Sequence, residues 1–374
     1  MADSRLHTLA AQGQSVWIDL LSRDFVHSGE LQRMIDEDAV TGLTSNPSIF
    51  QKAIAGGSDY DEQLAVCLEQ TDDPRAIFFE LAIADVRDAC DVLRPAWEAS
   101  GGGDDGFVSL EVDPGLAADT KGTFEQAVDL HARVERPNLY VKIPATLEGL
   151  PAIEDCIAAG IPINITLIFS LERYRAVVAA YQRGVSRLVA GGGDPSKVHS
   201  VASFFVSRID TEADRRLGEL GNTQLQGKLG IANAKLAYRH FQEAFAGADW
   251  ERLAGAGANR QRPLWASTST KNPAYRDVMY VEELIGPDTV NTMPPETVVA
   301  FQDHGEVRGD TVTEDVDAAQ QLLADLAAVG VDYDDVVDTL EREGVQKFSD
   351  AFDELIGGIE SRRGDLAARS LGTA

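Results

Sequence analysis

The segment Asn138-Leu-Tyr-Val-Lys142-Ile-Pro-Ala-Thr146 reads as a short buried strand. Leu139, Tyr140, Val141 and Ile143 favour pleated backbone, and Pro144 ends the run. A lysine sits in its middle. Burying an ammonium is costly unless it is paired or neutralised. Desolvation lowers a lysine's pKa, and a neutral amine is a nucleophile towards carbonyls. Lys142 is therefore a candidate Schiff-base residue. Taken alone, the stretch favours a plainer reading, an edge strand whose amine reaches solvent, so the rest of the chain has to decide.

Similar short apolar runs lie on both sides of it. Upstream are Val16–Leu20, Ala39–Pro47 (cut off by Asn46-Pro47) and Phe107–Val112. Downstream are Pro162–Phe169, Val201–Val206, Pro263–Ser269 and a weaker run at Asp288–Met293. Helical patterns separate them: a lead-in over 4–15, a helix opened by Ser28 as its cap, and long helices over 77–98, 119–135, 147–159, 171–190 and 211–247. Two or three more helices follow Glu314 and Asp332. The glycine-rich Ser100–Gly106 has no basic residue and no phosphate-loop spacing, so it reads as a connector.

About eight strands alternating with helices, at spacings of about 20–45 residues, indicate a parallel α/β fold. On length alone, 374 residues allow one large domain with insertions or two modest ones. The first strand lacks a GxGxxG turn, which lowers the doubly wound option. The expectation is a single (β/α)8 barrel over residues 1–374, with extra N- and C-terminal helices.

Composition bounds the partners. With 33 basic against 61 acidic residues the net charge is −28. Such a surface repels nucleic acid and anionic membranes, and an anionic substrate would need a few local cations to outweigh the field. No apolar run has membrane-spanning length, and residues 1–5 lack a signal peptide's apolar region. The three scattered cysteines, Cys67, Cys90 and Cys156, point to free buried thiols in a reducing cytoplasm. Oligomeric state is left open, a homo-oligomer included.

Side chains alternate faces along a strand, so residues of one parity share a face. Trp17 and Asp19 share one; so do Gly42, Thr44 and Asn46; Phe107, Ser109 and Glu111; Tyr140 and Lys142; Asn164 and Thr166; Ser203 and Phe205. The opposite parity is mostly apolar, as in Ile18, Leu43, Leu110, Val141 and Ile165. In a barrel the polar parity points inward, and its groups converge at the C-terminal mouth, where barrel active sites lie. An isolated Asn or Thr on a strand is commonly a satisfied core group. Several at matching positions predict a shared polar site.

Of the eight lysines, Lys142 and Lys271 alone sit in or at the end of a predicted strand. Lys142 lies among apolar β-formers. Lys271 follows Ser267-Thr-Ser269-Thr and precedes Asn272-Pro273, a hydroxyl-rich setting suited to holding phosphate. Arg208, just past the sixth strand, is a second phosphate candidate. A nucleophilic amine, the carboxylates Asp19 and Glu111 and a cationic anchor fit carbon–carbon cleavage through an imine. The six histidines show no metal-ligand spacing, which weakens a metal-dependent aldolase reading.

These segments together resemble the transaldolase family, in its longer bacterial type. The matching motifs are Trp17-Ile-Asp19-Leu, Gly42-Leu-Thr44-Ser-Asn46-Pro-Ser-Ile-Phe50, Ser109-Leu-Glu111-Val-Asp-Pro114, Val141-Lys142-Ile-Pro-Ala-Thr146, Ile163-Asn164-Ile-Thr166-Leu-Ile-Phe-Ser170, Ser203-Phe-Phe205-Val-Ser-Arg208-Ile-Asp210 and Ala266-Ser-Thr-Ser269-Thr-Lys271-Asn-Pro273. The resemblance implies a (β/α)8 barrel and a cofactor-free enzyme that moves a dihydroxyacetone unit between phosphorylated sugars of the pentose phosphate pathway. By the same resemblance Lys142 forms the imine and Asp19 is the base for aldol cleavage. Glu111 and Thr166 hold the water that shuttles protons. Thr44, Asn46, Asn164 and Ser203 match positions that hold the dihydroxyacetone part or the Schiff base, and Phe205 joins the substrate-binding set. Arg208, Ser269 and Lys271 match the phosphate site. The family's better-known branches carry arginine where this chain has Lys271, and a lysine gives up the bidentate fork. The preceding loop is one residue longer, so Ser267 and Ser269 both stay open as the phosphate hydroxyl. Regions 1–12 and 300–374 match poorly and receive no role. Rival readings are a fructose-6-phosphate aldolase-like enzyme on the same scaffold, a non-catalytic sugar-phosphate-binding barrel, and a phosphosugar isomerase.

Overall fold

The computed structural model describes residues 4–55 and 58–372, with side chains as far as residue 363. Residues 1–3, part of the N-terminal stretch read above, lie outside the described residues. Eight strands form a closed barrel: β1 (Gln14–Asp19), β2 (Val40–Thr44), β3 (Val108–Glu111), β4 (Leu139–Pro144), β5 (Ile163–Ile168), β6 (Ser200–Phe205), β7 (Arg262–Ala266) and β8 (Thr289–Met293). Neighbours in the chain are neighbours in the sheet, and every pairing is parallel, with β8 closing onto β1. Closure excludes the doubly wound alternative. Helices joining successive strands include Thr120–Val134, Gly149–Ala158 and Leu171–Ala190. Among the described residues no helix is long and apolar enough to cross a membrane.

Parity becomes depth inside the barrel. The outward residues Ile18, Leu43, Leu110, Val141 and Ile165 are fully buried beneath the helices. Inside, an aromatic layer fills the middle: Phe107 stacks on Tyr140 at 4.0 Å, and Trp17 lies 6.1 Å from Tyr140. Gly42 makes room for it, since a Cβ there would meet the Trp17 ring at 2.3 Å. The polar groups lie one pleat further towards the C-terminal ends of the strands, above this apolar plug.

Local readings are corrected at several points. The lead-in helix covers only Arg5–Ala10; Gly13 turns the chain at φ +84° and β1 starts at Gln14. Ser28 does not cap a helix start. It ends a short helix, Arg23–His27, whose real cap is Ser22, accepting from Phe25 N–H at 3.1 Å. The next helix, Glu30–Asp38, begins after Gly29 without a side-chain cap. The stretch 211–247 is two helices, Ser207–Glu219 and Leu229–Ala244, parted by a turn containing Gly221 and Gly227, both at positive φ.

Two regions set aside in the sequence become structural. The connector Ser100–Gly106 tucks into the N-terminal end of the barrel, where Asp105 accepts from Trp17 Nε1 (2.8 Å) and Ser15 Oγ (2.6 Å). The region 300–374 ends in one long helix, Tyr333–Gly372. That helix runs over the C-terminal side of the barrel, packing near the end of β5 through Gly344 and against Phe78 through Phe352.

Candidate active site

Register brings the candidates together. Glu111 on β3 pairs with Lys142 on β4, and Lys142 pairs with Asn164 on β5. Asp19 on β1 pairs with Thr44 on β2. All five are on inward parity at the C-terminal ends of their strands. A cavity of about 870 Å³, counted with its open mouth, lies there. Its walls include Asp19, Thr44, Asn46, Lys142, Thr166, Ser203, Phe205, Arg208, Ser269 and Lys271. Glu111 and Asn164 stand just behind that wall, both buried.

At the closed end, Lys142 is 5% exposed, so the edge-strand reading fails. Its Nζ donates to Glu111 Oε2 at 3.2 Å and to the Ser45 carbonyl at 2.9 Å. Burial pushes the Glu111 carboxyl up to about 7, against the opposing pull of Lys142, with Asp19 adding to the rise. Asp19 is raised as well, again by burial first, while Lys142, the Thr44 hydrogen bond and Arg208 pull it down. Thr44 Oγ1 donates to Asp19 at 2.6 Å and lies 2.7 Å from Thr292 Oγ1. One cation thus faces two carboxyl groups whose environments hold protons to higher pH than usual. Groups so placed can exchange protons near neutrality.

The neutral polar groups form a scaffold around that centre. Asn164 Nδ2 donates to Ser109 Oγ at 2.9 Å, and Ser203 Oγ donates to Asn164 Oδ1 at 2.7 Å. This chain crosses three strands and fixes the amide's orientation. Asn46 Oδ1 accepts from Ile49 N–H at 3.1 Å, capping the helix Pro47–Ala55. Thr166 Oγ1 is buried and has no hydrogen-bond partner among the described residues. A buried hydroxyl left unpaired costs about 1–3 kcal/mol, and this one faces the cavity. The residue after it, Leu167, has φ +59°, and the register between β5 and β6 breaks there. Positive φ at a leucine is strained backbone, and here it interrupts the pleat near the C-terminal end of β5.

The mouth is cationic. Arg208 lies in the first turn of the helix Ser207–Glu219, its guanidinium 5.1 Å from the Phe205 ring. It makes no hydrogen bond or salt bridge among the described residues. Lys271 Nζ donates to Ser269 Oγ at 2.6 Å and has no carboxylate partner among the described residues. In a chain of net charge −28, two cations that form no salt bridge among the described residues at one cavity mouth are available for an anion. Both serines left open by the sequence line the cavity: Ser267, at φ +56°, has its hydroxyl 2.9 Å from Ser207 Oγ, and Ser269 accepts from Lys271.

Several contributors escaped the sequence reading. The Ser45 carbonyl has no side-chain signature. Thr292 is on β8, where Thr289, Asn291 and Thr292 put polar groups on both parities and erase the alternation. Glu296 opens the helix after β8 and adds to the rise at Asp19. Phe348 comes from the C-terminal helix, and its ring centroid is 5.5 Å from Lys142 Nζ. Among the described residues there is no His, Cys, Asp and Glu grouping that could hold a metal.

Comparison with known proteins agrees with this geometry. The profile of the transaldolase/fructose-6-phosphate aldolase family matches residues 16–359. A transaldolase of Mycolicibacterium paratuberculosis is 53% identical over 366 residues, covering 97% of this chain and 98% of its own. Transaldolases of Mycobacterium ulcerans (52% identity, 97% of this chain and 98% of its own) and Frankia alni (51% identity, 96% and 97%) are similar over equal spans.

Proposed function

The chain belongs to the transaldolase/fructose-6-phosphate aldolase family and functions as a transaldolase, and we propose that its chemistry runs through a Schiff base on Lys142. The observation that carries this reading is the buried Lys142 amine at the closed end of the cavity, 3.2 Å from Glu111, with Asp19 in the same wall. The substrates are phosphorylated sugars. The reaction we assign is sedoheptulose 7-phosphate plus glyceraldehyde 3-phosphate giving erythrose 4-phosphate plus fructose 6-phosphate. The whole chain serves as one catalytic domain.

The phosphate binds Arg208, Lys271 and Ser269, which directs the ketose carbonyl down to Lys142. The Lys142 amine adds to that carbonyl. Glu111, through a water held also by Thr166, protonates the departing hydroxyl as the carbinolamine loses water to become an iminium. Asp19 then takes the proton of the hydroxyl two carbons from the iminium carbon. The bond joining that hydroxyl's carbon to the carbon next to the iminium breaks, releasing an aldehyde, and its electron pair flows into the iminium to leave an enamine. Asn46, Asn164, Ser203 and Thr44 hold the three-carbon unit, with Phe205 forming the wall beside Arg208. An incoming aldehyde reverses these steps, with Asp19 returning its proton to the new hydroxyl.

Borohydride reduction in the presence of fructose 6-phosphate tests the assignment. The expected outcome is a stable mass increase on the peptide carrying Lys142. No adduct, or an adduct on Lys271, would overturn it. An isomerase or a non-catalytic binding barrel has no use for the adduct.

A further inference from the structure

The helix Tyr333–Gly372 sends Phe348 into the cavity wall. Its path is fixed on both sides of that residue. At its start, Tyr333 Oη accepts from Leu171 N–H at 3.1 Å and donates to Asn233 Oδ1 at 2.8 Å. At Gly344 the helix comes so near the end of β5 that a Cβ would stand 3.2 Å from Leu167 and 3.3 Å from Phe169. Leu167 is the positive-φ residue where β5 loses its register, so the strand's irregular end forms the seat for this glycine. Residues four apart on a helix share a face, so seating Gly344 turns Phe348 towards Lys142. Four residues later, Phe352 packs edge-on against Phe78 at 5.2 Å. Phe348 itself is 6% exposed, and its ring offers no hydrogen-bonding atom to the amine 5.5 Å away.

That position matters for the enamine left on Lys142 after cleavage. In one fate its carbon attacks an incoming aldehyde, a new carbon–carbon bond forms, and the resulting iminium is hydrolysed to the longer ketose. In the other a proton adds to the enamine carbon, water adds to the iminium carbon, the carbon–nitrogen bond breaks, and free dihydroxyacetone leaves with the amine restored. The second fate needs an extra proton and a water before the second aldehyde arrives. A ring held over the lysine limits the room for that water beside the adduct.

We propose that Phe348, carried by the C-terminal helix, is a specificity-determining residue that holds the Lys142 adduct for transfer rather than release. This rests on the Schiff-base reading above, and the experiment separates the two. Full-length Phe348→Ala and Phe348→Leu are assayed for free dihydroxyacetone released from fructose 6-phosphate without acceptor, for transfer to erythrose 4-phosphate, and for the borohydride adduct. In Phe348→Ala the ratio of release to transfer should rise about 10-fold or more, with Phe348→Leu between it and the parent. The adduct should remain on Lys142 in all three. A ratio unchanged in both variants, including a parallel fall of both rates as from a merely structural residue, overturns the proposal. If the alanine variant does not fold, the leucine variant decides by the same ratio. Absence of the adduct in the parent would sink the Schiff-base reading instead, independently of Phe348.

Discussion

At the N-terminal end of the barrel, the Asp105 carboxylate accepts from Trp17 Nε1 and Ser15 Oγ. Arg262 there donates to the Asp104 carbonyl, to Ser15 Oγ at 2.6 Å and to the Thr289 carbonyl at 2.7 Å. At the C-terminal end stand three acids, Asp19, Glu111 and Glu296, and three cations, Lys142, Arg208 and Lys271. Charged groups therefore crowd both ends, but their accounting differs. Below the aromatic layer Asp105, Ser15 and Arg262 pair with one another or with nearby backbone, although the side-chain oxygens of Gln14, Asn138 and Gln261 there have no partner among the described residues. Above it, among the described residues, Thr166 Oγ1 has no hydrogen-bond partner, Arg208 makes no hydrogen bond, and Lys271 hydrogen-bonds to a serine and to no carboxylate. Charged groups that close on their neighbours stabilise a fold; cations left open at a cavity mouth are complementary to an anion. The contrast locates function more sharply than the presence of charge does.

Substitutions should split the two ends. The largest effect is expected from Lys142→Ala, which should cut turnover by about 10⁴-fold or more, measured in a coupled transfer assay. The fold should survive, seen as an unchanged circular dichroism spectrum. Glu111 already holds its proton to about pH 7 with the lysine beside it, so without the lysine it can become neutral instead of remaining a buried, unpaired charge. Loss of the folded signal would make Lys142 structural and erase the contrast. Asp19→Asn should slow cleavage by about 10³-fold while borohydride trapping persists, because the base acts after the imine has formed. Failure to trap would contradict that order.

Glu111→Gln is expected to cost about 10–100-fold in the rate of imine formation and to change its pH profile. Because the carboxyl is raised to about 7, its acid form is present below that pH and lost above it. The parent's dehydration step should therefore slow as pH rises through about 7, and the glutamine variant should lack that limb. A profile that keeps it assigns the ionisation to another group. The smallest effect on rate belongs to the opposite end. Asp105→Ala removes the acceptor for two hydrogen bonds and should lower stability by about 2 kcal/mol, read by denaturant unfolding. The turnover of the folded protein should stay within about twofold, since the aromatic layer stands between Asp105 and the cavity. A large drop in turnover would mean that the two ends are coupled.

Much of the upper site was legible because a strand is a local object. Alternation at Trp17-Ile-Asp19 or Tyr140-Val-Lys142 needs only adjacent residues, and it is legible on the first six strands, from Gln14–Asp19 to Ser200–Phe205. Legibility failed where a contact joins residues far apart in the chain and leaves no local period. Asp105 sits in a loop whose glycines suggested only a connector, yet it hydrogen-bonds to Ser15 and Trp17 some 90 residues away. The Ser45 carbonyl that receives Lys142 is a backbone group, which any residue type would supply. Phe348 belongs to a region with no recognisable motif, and one phenylalanine on an amphipathic helix looks like any core residue.

The amino-acid order by itself determined which side chains share a face of each strand, because pleating alternates them regardless of surroundings. It also marked the lysine among apolar β-formers apart from the lysine among hydroxyls. Only the tertiary structure decided that the polar faces meet in one cavity, since that requires β8 to close onto β1. The pairing of β3 with β4 set Glu111 beside Lys142, and burial of both moved the glutamate's proton affinity to about neutrality. The long C-terminal helix then supplied Phe348 from more than two hundred residues along the chain, because helix packing answers to shape and buried area rather than to sequence distance.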